Sequence, residues 1–380
     1  MDNSRIKILI FLLFFLFLGL GLFFLYNHLS SNTASQKEEE KKVSSIVPEN
    51  EEVKDSLVEE DDDIISTAPE KKELDLDFLF FGDMMLDRHV GDLIEERGLD
   101  HIFGKMDSQG IFYSRDLIGA NLEGAVTNEG KHYPPEYLYD FAFSPDIIEE
   151  ISKDYNFNFF NIANNHLADQ GERGIRETEE NLNNLGLYFS GCQDGQAGEC
   201  SLKIIDFDDT EIAFLGFSMV YAIPDQTEML DLIESAASSS DMVIVNVHWG
   251  VEYEHRFNQT QQDFAHFFVD SGADVVIGHH PHVVQGMEVY EGKAIFYSLG
   301  NFVFDQYFST ATQEGFALDM NIKEEEIIYS FLPFKSELSR VEMIDKEEDI
   351  EEFLQRFVNW SDLGQKVEEE VLTGSFSAKR

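Results

Sequence analysis

The sequence predicts an α/β fold carried behind an N-terminal transmembrane helix. From Asp75 onward, short runs rich in Phe, Val and Ile alternate with longer stretches of helical periodicity, and four of those runs lead straight into polar clusters. Ahead of them, Ile8 to Tyr26 is a run of 19 apolar, glycine or tyrosine residues. At ~1.5 Å per residue it reaches about one hydrocarbon thickness.

Residues 1–30 read as the anchor, since a cleaved signal peptide would carry a shorter apolar core and a small-residue cleavage site. Arg5 and Lys7 precede the run and Lys37 is the first lysine after it. That asymmetry expects a single-pass protein of the cell membrane, N-terminus cytoplasmic and main domain outside. Residues 31–74 hold 14 acidic and 6 basic residues and few large apolar ones, which reads as a solvated stalk that includes Glu38–Glu40 and Asp61–Asp63.

Residues 75–335 form the expected folded domain. Its strands are expected at 76–81, 157–162, 211–217, 242–247, 274–277 and 293–298, with antiparallel strands near 316–322 and 327–334. Helices are expected at 174–185 and 259–271, closed by Gly186 and Gly272. Residues 336–380 read as an acidic helical tail.

With 74 Asp+Glu against 27 Lys+Arg, the net charge of −47 excludes a general nucleic-acid binder. The hydrophobic 43%, including 34 Phe, is ample for a large core. Cys192 and Cys200 are too few for a four-cysteine zinc site or an iron–sulfur cluster. Outside the cell they could close a small disulfide loop or stay as two thiols.

The chemistry gathers where strands end. The four runs lead into Gly82-Asp83, Asn164-Asn165-His166, His248-Trp249-Gly250 and Gly278-His279-His280-Pro281-His282. Ligands of open α/β sheets collect beyond the carboxyl ends of strands, so these clusters are expected to meet. Singly, Asn-Asn-His is a turn and His248 a core histidine. Three imidazoles in four positions would repel if protonated, and as neutral groups they suit a divalent transition metal. The mixed set suits one or two ions of Mn, Zn or Fe, and a pair could activate a bridging water for hydrolysis. Asp87 is expected to cap the following helix, His255 and His266 to pack or face solvent, and Trp249 either to stack on a ligand or to be buried.

The strings GDMMLDR (82–88), NLEGAVT (121–127), ANNHLADQG (163–171), HWGVEY (248–253), GHHPHVVQG (278–286) and YSLGNFVFDQ (297–306) resemble those of the CapA family of poly-γ-glutamate capsule synthesis proteins, in the family's order. The resemblance implies a calcineurin-like metallophosphatase fold, a layered α/β/β/α sandwich. It further implies metal ligands Asp83, Glu123, Asn165, His248, His280 and His282, with His166 as acid or charge stabiliser. Arg88, Glu252, Gln285 and Asn301 would line the pocket, Arg88 gripping a phosphate or carboxylate. One position departs from the pattern: Met85 stands where Asp-x-His would place a histidine, and His89 could replace it only if the chain turned back.

Two functions follow from the resemblance. One is a metal-dependent hydrolase acting on an anionic polymer or a phosphoester. The other is a non-catalytic subunit that binds polymer or organises a membrane synthase.

Overall fold

A computed structural model describes residues 73–135 and 137–380; the expected anchor and nearly all of the stalk lie outside the described residues. Among the described residues no helix is long and apolar enough to cross a membrane.

The chain opens with β1 (Asp75–Met84), α1 (Arg88–Arg97), α2 (Leu99–Ser108), β2 (Leu117–Leu122), β3 (Ala125–Val126), β4 (Ala142–Phe143), α3 (Pro145–Tyr155), β5 (Phe159–Asn161), α4 (Gly171–Asn184) and β6 (Tyr188–Ser190). It continues through β7 (Leu202–Phe207), β8 (Thr210–Ser218), α5 (Gln226–Ser239), β9 (Met242–His248), α6 (Gln259–Asp270), β10 (Val275–His279), β11 (Val284–Tyr290), β12 (Lys293–Leu299) and β13 (Asn301–Val303). Then come β14 (Glu314–Lys323), β15 (Glu326–Glu337), β16 (Arg340–Met343), α7 (Glu347–Trp360), α8 (Gln365–Val371) and β17 (Ser375–Lys379).

Two sheets result. The larger runs β16-β15-β14-β1-β2-β5-β6, with β13 beside β1 and β17 beside β15; the smaller runs β11-β12-β10-β9-β8-β7. In the larger, β1, β2, β5 and β6 pair in parallel out to the β6 edge and the β14 side is antiparallel; in the smaller, β8, β9, β10 and β12 form a parallel centre with antiparallel flanks.

Alternation along the strands explains the layering. On β1, Phe78 and Phe80 join Phe214, Ile244 and Val275 in a core between the sheets. Leu79 and Phe81 point the other way, against Val90 of α1, Phe103 of α2 and Ile148 of α3. The smaller sheet repeats the pattern, with Leu215, Val243 and Val245 packed on Met229 and Ile233 of α5 and Phe268 of α6. Strands covered on both faces read as continuous apolar runs, which is why they were visible in the sequence.

The acidic tail is part of this core. Phe353, Leu354 and Phe357 of α7 enter the inter-sheet cluster, and β17 pairs antiparallel with β15. The cysteines form a Cys192–Cys200 disulfide. Within that loop, Asp194 accepts from Ser218 Oγ at 2.5 Å and from the backbone N–H groups of Val220, Tyr221 and Ala222 at 2.8–3.0 Å. The loop thereby clasps the segment that follows β8.

Candidate metal centre

One register row places the site. Asp83 on β1 stands opposite Asn121 on β2, Asn121 opposite Asn161 on β5, and Asn161 opposite Ser190 on β6. On the facing sheet, Ser218, His248 and His279 share a row at the ends of β8, β9 and β10. The glycines before the ligands let the strands come this close: a Cβ on Gly82 would lie 1.8 Å from Gly300 O, and one on Gly278 would lie 2.0 Å from Tyr297 O.

Asp83, Glu123 and His282 are buried with ligand atoms all within 4.8 Å of one another. His282 Nδ1 lies 3.2 Å from Asp83 Oδ2 and 2.9 Å from Asn301 Oδ1. Beside this group, His248 Nε2 lies 2.8 Å from Asn165 Oδ1, 3.1 Å from His280 Nδ1 and 3.8 Å from Glu123 Oε1. Glu123 therefore stands between two sets of donors. His280 and His282 both adopt left-handed backbone, at φ 96° and 59°, a strained conformation for residues that carry a Cβ.

The electrostatics fit a cation. Burial first, then the Asp83 charge, push the Glu123 carboxyl well above its ordinary range. Burial opposes ionisation of Asp83 too, but hydrogen bonds from His282 and Asn121 and the charges of His282 and His279 hold its carboxyl below the usual value. Burial, then neighbouring imidazoles, drive His248 well below its usual value and bring His280 down to about 3; burial brings His279 down to about 4. These imidazoles are neutral and their lone pairs available. Glu123 Oε2 is buried with no hydrogen-bond partner among the described residues, an arrangement that is costly unless a cation or proton completes it. The donors are carboxylate and amide oxygens and neutral imidazoles, a set that suits a divalent transition metal.

Six residues expected as ligands, Asp83, Glu123, Asn165, His248, His280 and His282, are thus brought together. His166 adjoins them, its Nδ1 2.8 Å from Asp169 Oδ2 and its ring 4.3 Å from that of Phe141. The expected pocket lining fares differently. Arg88 spends its guanidinium on Asp305, donating from Nε at 2.9 Å and from Nη2. Gln285 is buried and tied at both ends, accepting from Gln261 and donating to Glu254 O. Asn301 orients His282 while donating to Gln306 and to Thr312 O. Glu252 lies exposed on the loop after β9.

The Met85 departure has a local partner: its sulfur accepts the Asp87 N–H at 3.1 Å. His89 does not turn back, but sits exposed on α1 near Asp92. Asp87 caps α1 as expected. Trp249 is buried and donates to Tyr297 O. His255 stacks on Trp360 from a loop, outside the expected helical setting, and His266 pairs with Glu288.

Sequence reasoning assigned no role to Asn121, whose Nδ2 lies 2.8 Å from Asp83 Oδ1, 3.3 Å from Glu123 Oε1 and 3.2 Å from His248 Nδ1. Asp169 was missed likewise. The available signals were strand periodicity, which puts Asn121 on the same face as Glu123, and the three-residue step from His166 to Asp169.

Residues 77–306 match the family model of the bacterial capsule synthesis protein PGA_cap. The PGA biosynthesis protein CapA of Bacillus subtilis (strain 168) is 33% identical over 280 residues, 68% of this chain and 72% of that protein. The capsule biosynthesis protein CapA of Bacillus anthracis is 28% identical over 279 residues, 68% and 67% of the two chains. A crystal structure of a hypothetical protein from Thermus thermophilus aligns with 71% of this chain and 98% of its own at 15% identity and a TM-score of 0.42. The family match spans β1 to β13 and so includes every strand end that carries the cluster; the chain belongs to the bacterial capsule synthesis protein PGA_cap family.

Proposed function

We propose that this chain is a membrane-anchored, extracytoplasmic protein of poly-γ-glutamate capsule synthesis whose buried cluster holds one or two divalent ions and hydrolyses a phosphoester or γ-glutamyl bond. The observation that carries the reading is the convergence of Asp83, Glu123 and His282 within 4.8 Å, beside Asn165, His248 and His280. Relatives named for PGA and capsule biosynthesis support the pathway. The 19-residue run at Ile8–Tyr26 supports the anchor.

In this reading Asp83, Glu123 and His282 hold one ion, and Glu123, Asn165, His248 and His280 a second. A bound divalent ion supplies Lewis acidity and a water of lowered pKa. Asp169 fixes the His166 ring through Nδ1, which leaves Nε2 to hand a proton to the leaving group, an oxygen in a phosphoester or a nitrogen in a γ-glutamyl amide. Asn301 orients His282. Arg88 binds an anionic substrate group only by exchanging it for Asp305, and Glu252 and Gln285 act through the loop after β9.

Metal analysis and hydrolysis assays on one preparation of full-length chain, wild type beside H280A/H282A, test this. The expected outcome is bound Mn, Zn or Fe with turnover in the wild type and loss of both in the variant. A wild type without metal, indifferent to chelator, would overturn it. One observation favours a non-catalytic polymer-binding or scaffolding subunit instead: Met85 leaves one ion position a ligand short, its sulfur turned to the Asp87 N–H. Metal bound without turnover would select that reading.

A further inference from the structure

The chain crosses from the larger sheet to the smaller one through the disulfide loop. β6 ends at Ser190, Cys192 and Cys200 are joined 8 apart in sequence, and β7 begins at Leu202. Gly191 N–H donates to Cys200 O at 2.7 Å, which draws the two ends of the loop together.

Each side of this loop touches one half of a candidate ligand pair. On the larger sheet, Ser190 O accepts the Ile162 N–H at 2.9 Å. Gly191 lies so close to the chain before Asn165 that a Cβ there would stand 2.2 Å from Ala163 N. On the smaller sheet, Asp194 accepts from Ser218 Oγ and from the successive N–H groups of Val220, Tyr221 and Ala222 at 2.5–3.0 Å, and Gly195 N–H donates to Ser218 O at 3.0 Å. Ser218 stands opposite His248 in the register, and Met219 donates its N–H to His248 O at 2.9 Å. Asn165 Oδ1 and His248 Nε2 are 2.8 Å apart across the gap between the sheets. The loop therefore brackets that pair, and its span limits how far the sheets separate there.

We infer that the Cys192–Cys200 disulfide is a redox lever on the metal centre: the oxidised loop holds the Asn165 and His248 sides at binding distance, and the dithiol form binds metal more weakly. Cross-linking removes in advance much of the freedom that the loop loses when Asp194 docks. Opening it takes a dithiol reductant. A thiolate attacks the sulfur of Cys200, the exposed partner, and the S–S bond breaks with its electron pair going to Cys192 Sγ, which lies 3.2 Å from the Ser201 hydroxyl. The second thiol of the reductant then frees Cys200, so that two electrons and two protons pass to the protein and the reductant leaves as a disulfide. The metal in this inference rests on the reading of the centre above; the bracket itself requires none.

The test uses full-length protein in detergent. Competition with a metallochromic chelator measures affinity for Mn and Zn in the oxidised wild type, C192S/C200S and D194A, each well below its melting temperature. Both variants should bind about tenfold more weakly, the scale of groups that orient ligands. C192S/C200S/D194A should be no weaker than either, because one clasp is lost only once. D194A keeps the disulfide, so a loss there does not come from the cross-link itself. Hydrogen exchange on the metal-free wild type, oxidised against dithiol-reduced, needs no variant: the amides of residues 219–222 should exchange faster after reduction, and those of β14 and β15 should not change. Wild-type affinity in C192S/C200S, additive losses in the triple variant, or unchanged exchange at residues 219–222 would each overturn the lever. A wild type that binds no metal, while exchange at residues 219–222 still follows the disulfide, would sink the reading of the centre and leave the bracket standing.

Discussion

At the scale of single residues, Asn121 illustrates how much of the candidate centre lies behind the candidate ligands themselves. Its amide nitrogen reaches Asp83, Glu123 and His248 at 2.8–3.3 Å, and its carbonyl accepts from Asn161 at 2.8 Å. Removing it should leave two carboxylates and an imidazole to find new orientations in a buried space. Asn121→Ala is expected to lower metal affinity by about 10–100-fold, the usual scale for groups that orient ligands, with far-UV circular dichroism unchanged; competition with a metallochromic chelator measures it. The candidate ligands were legible because histidines and a carboxylate at strand ends are chemically conspicuous. Asn121 and Asp169 were not, because an Asn in a strand and an Asp in a turn are ordinary until their partners are known. Arg88 is the opposite case. A lone arginine near a site invites a ligand, and nothing in sequence spacing pairs it with Asp305, 217 residues away.

Elements show a similar division. Strands buried on both faces announced themselves as apolar runs, and β1, β8, β9, β10 and β12 lie where periodicity put them, within a few residues at each end. β2 was missed although it is central, because LIGANL is six residues long and is broken by Gly119 and Asn121. Gly119 is there for room: a Cβ would meet Phe80 and Phe159 ring carbons at 3.0–3.1 Å. The demand is stricter at Gly82, where backbone occupies the space a side chain would need. Gly82→Ala is expected to cost about 3 kcal/mol or more, at the upper end for overpacking, and to release bound metal because Asp83 is the next residue. Urea melts of the metal-free and metal-loaded forms separate the two effects, and a variant as stable as wild type would contradict the β1–Gly300 contact.

On the scale of the whole molecule, the acidic composition concealed how the domain is closed. Residues beyond 340 read as an acidic appendage because charge dominates EEDIEEFLQRFV, yet its Phe and Leu recur at helical spacing and fill the gap between the two sheets. Phe357→Ala should therefore destabilise the domain by about 3–5 kcal/mol, an effect expected of a core residue and not of a solvated tail; a shift in the urea midpoint within error of wild type would overturn the packing. A further consequence concerns birth order. β15 receives its partner β17 only from residues 375–379, so a nascent chain that has already displayed every strand end of the candidate metal centre still lacks both the plug and the last strand of its core. Until those residues have been made, the outer edge of β15 over residues 326–330 stays unpaired, a template for unwanted strand pairing.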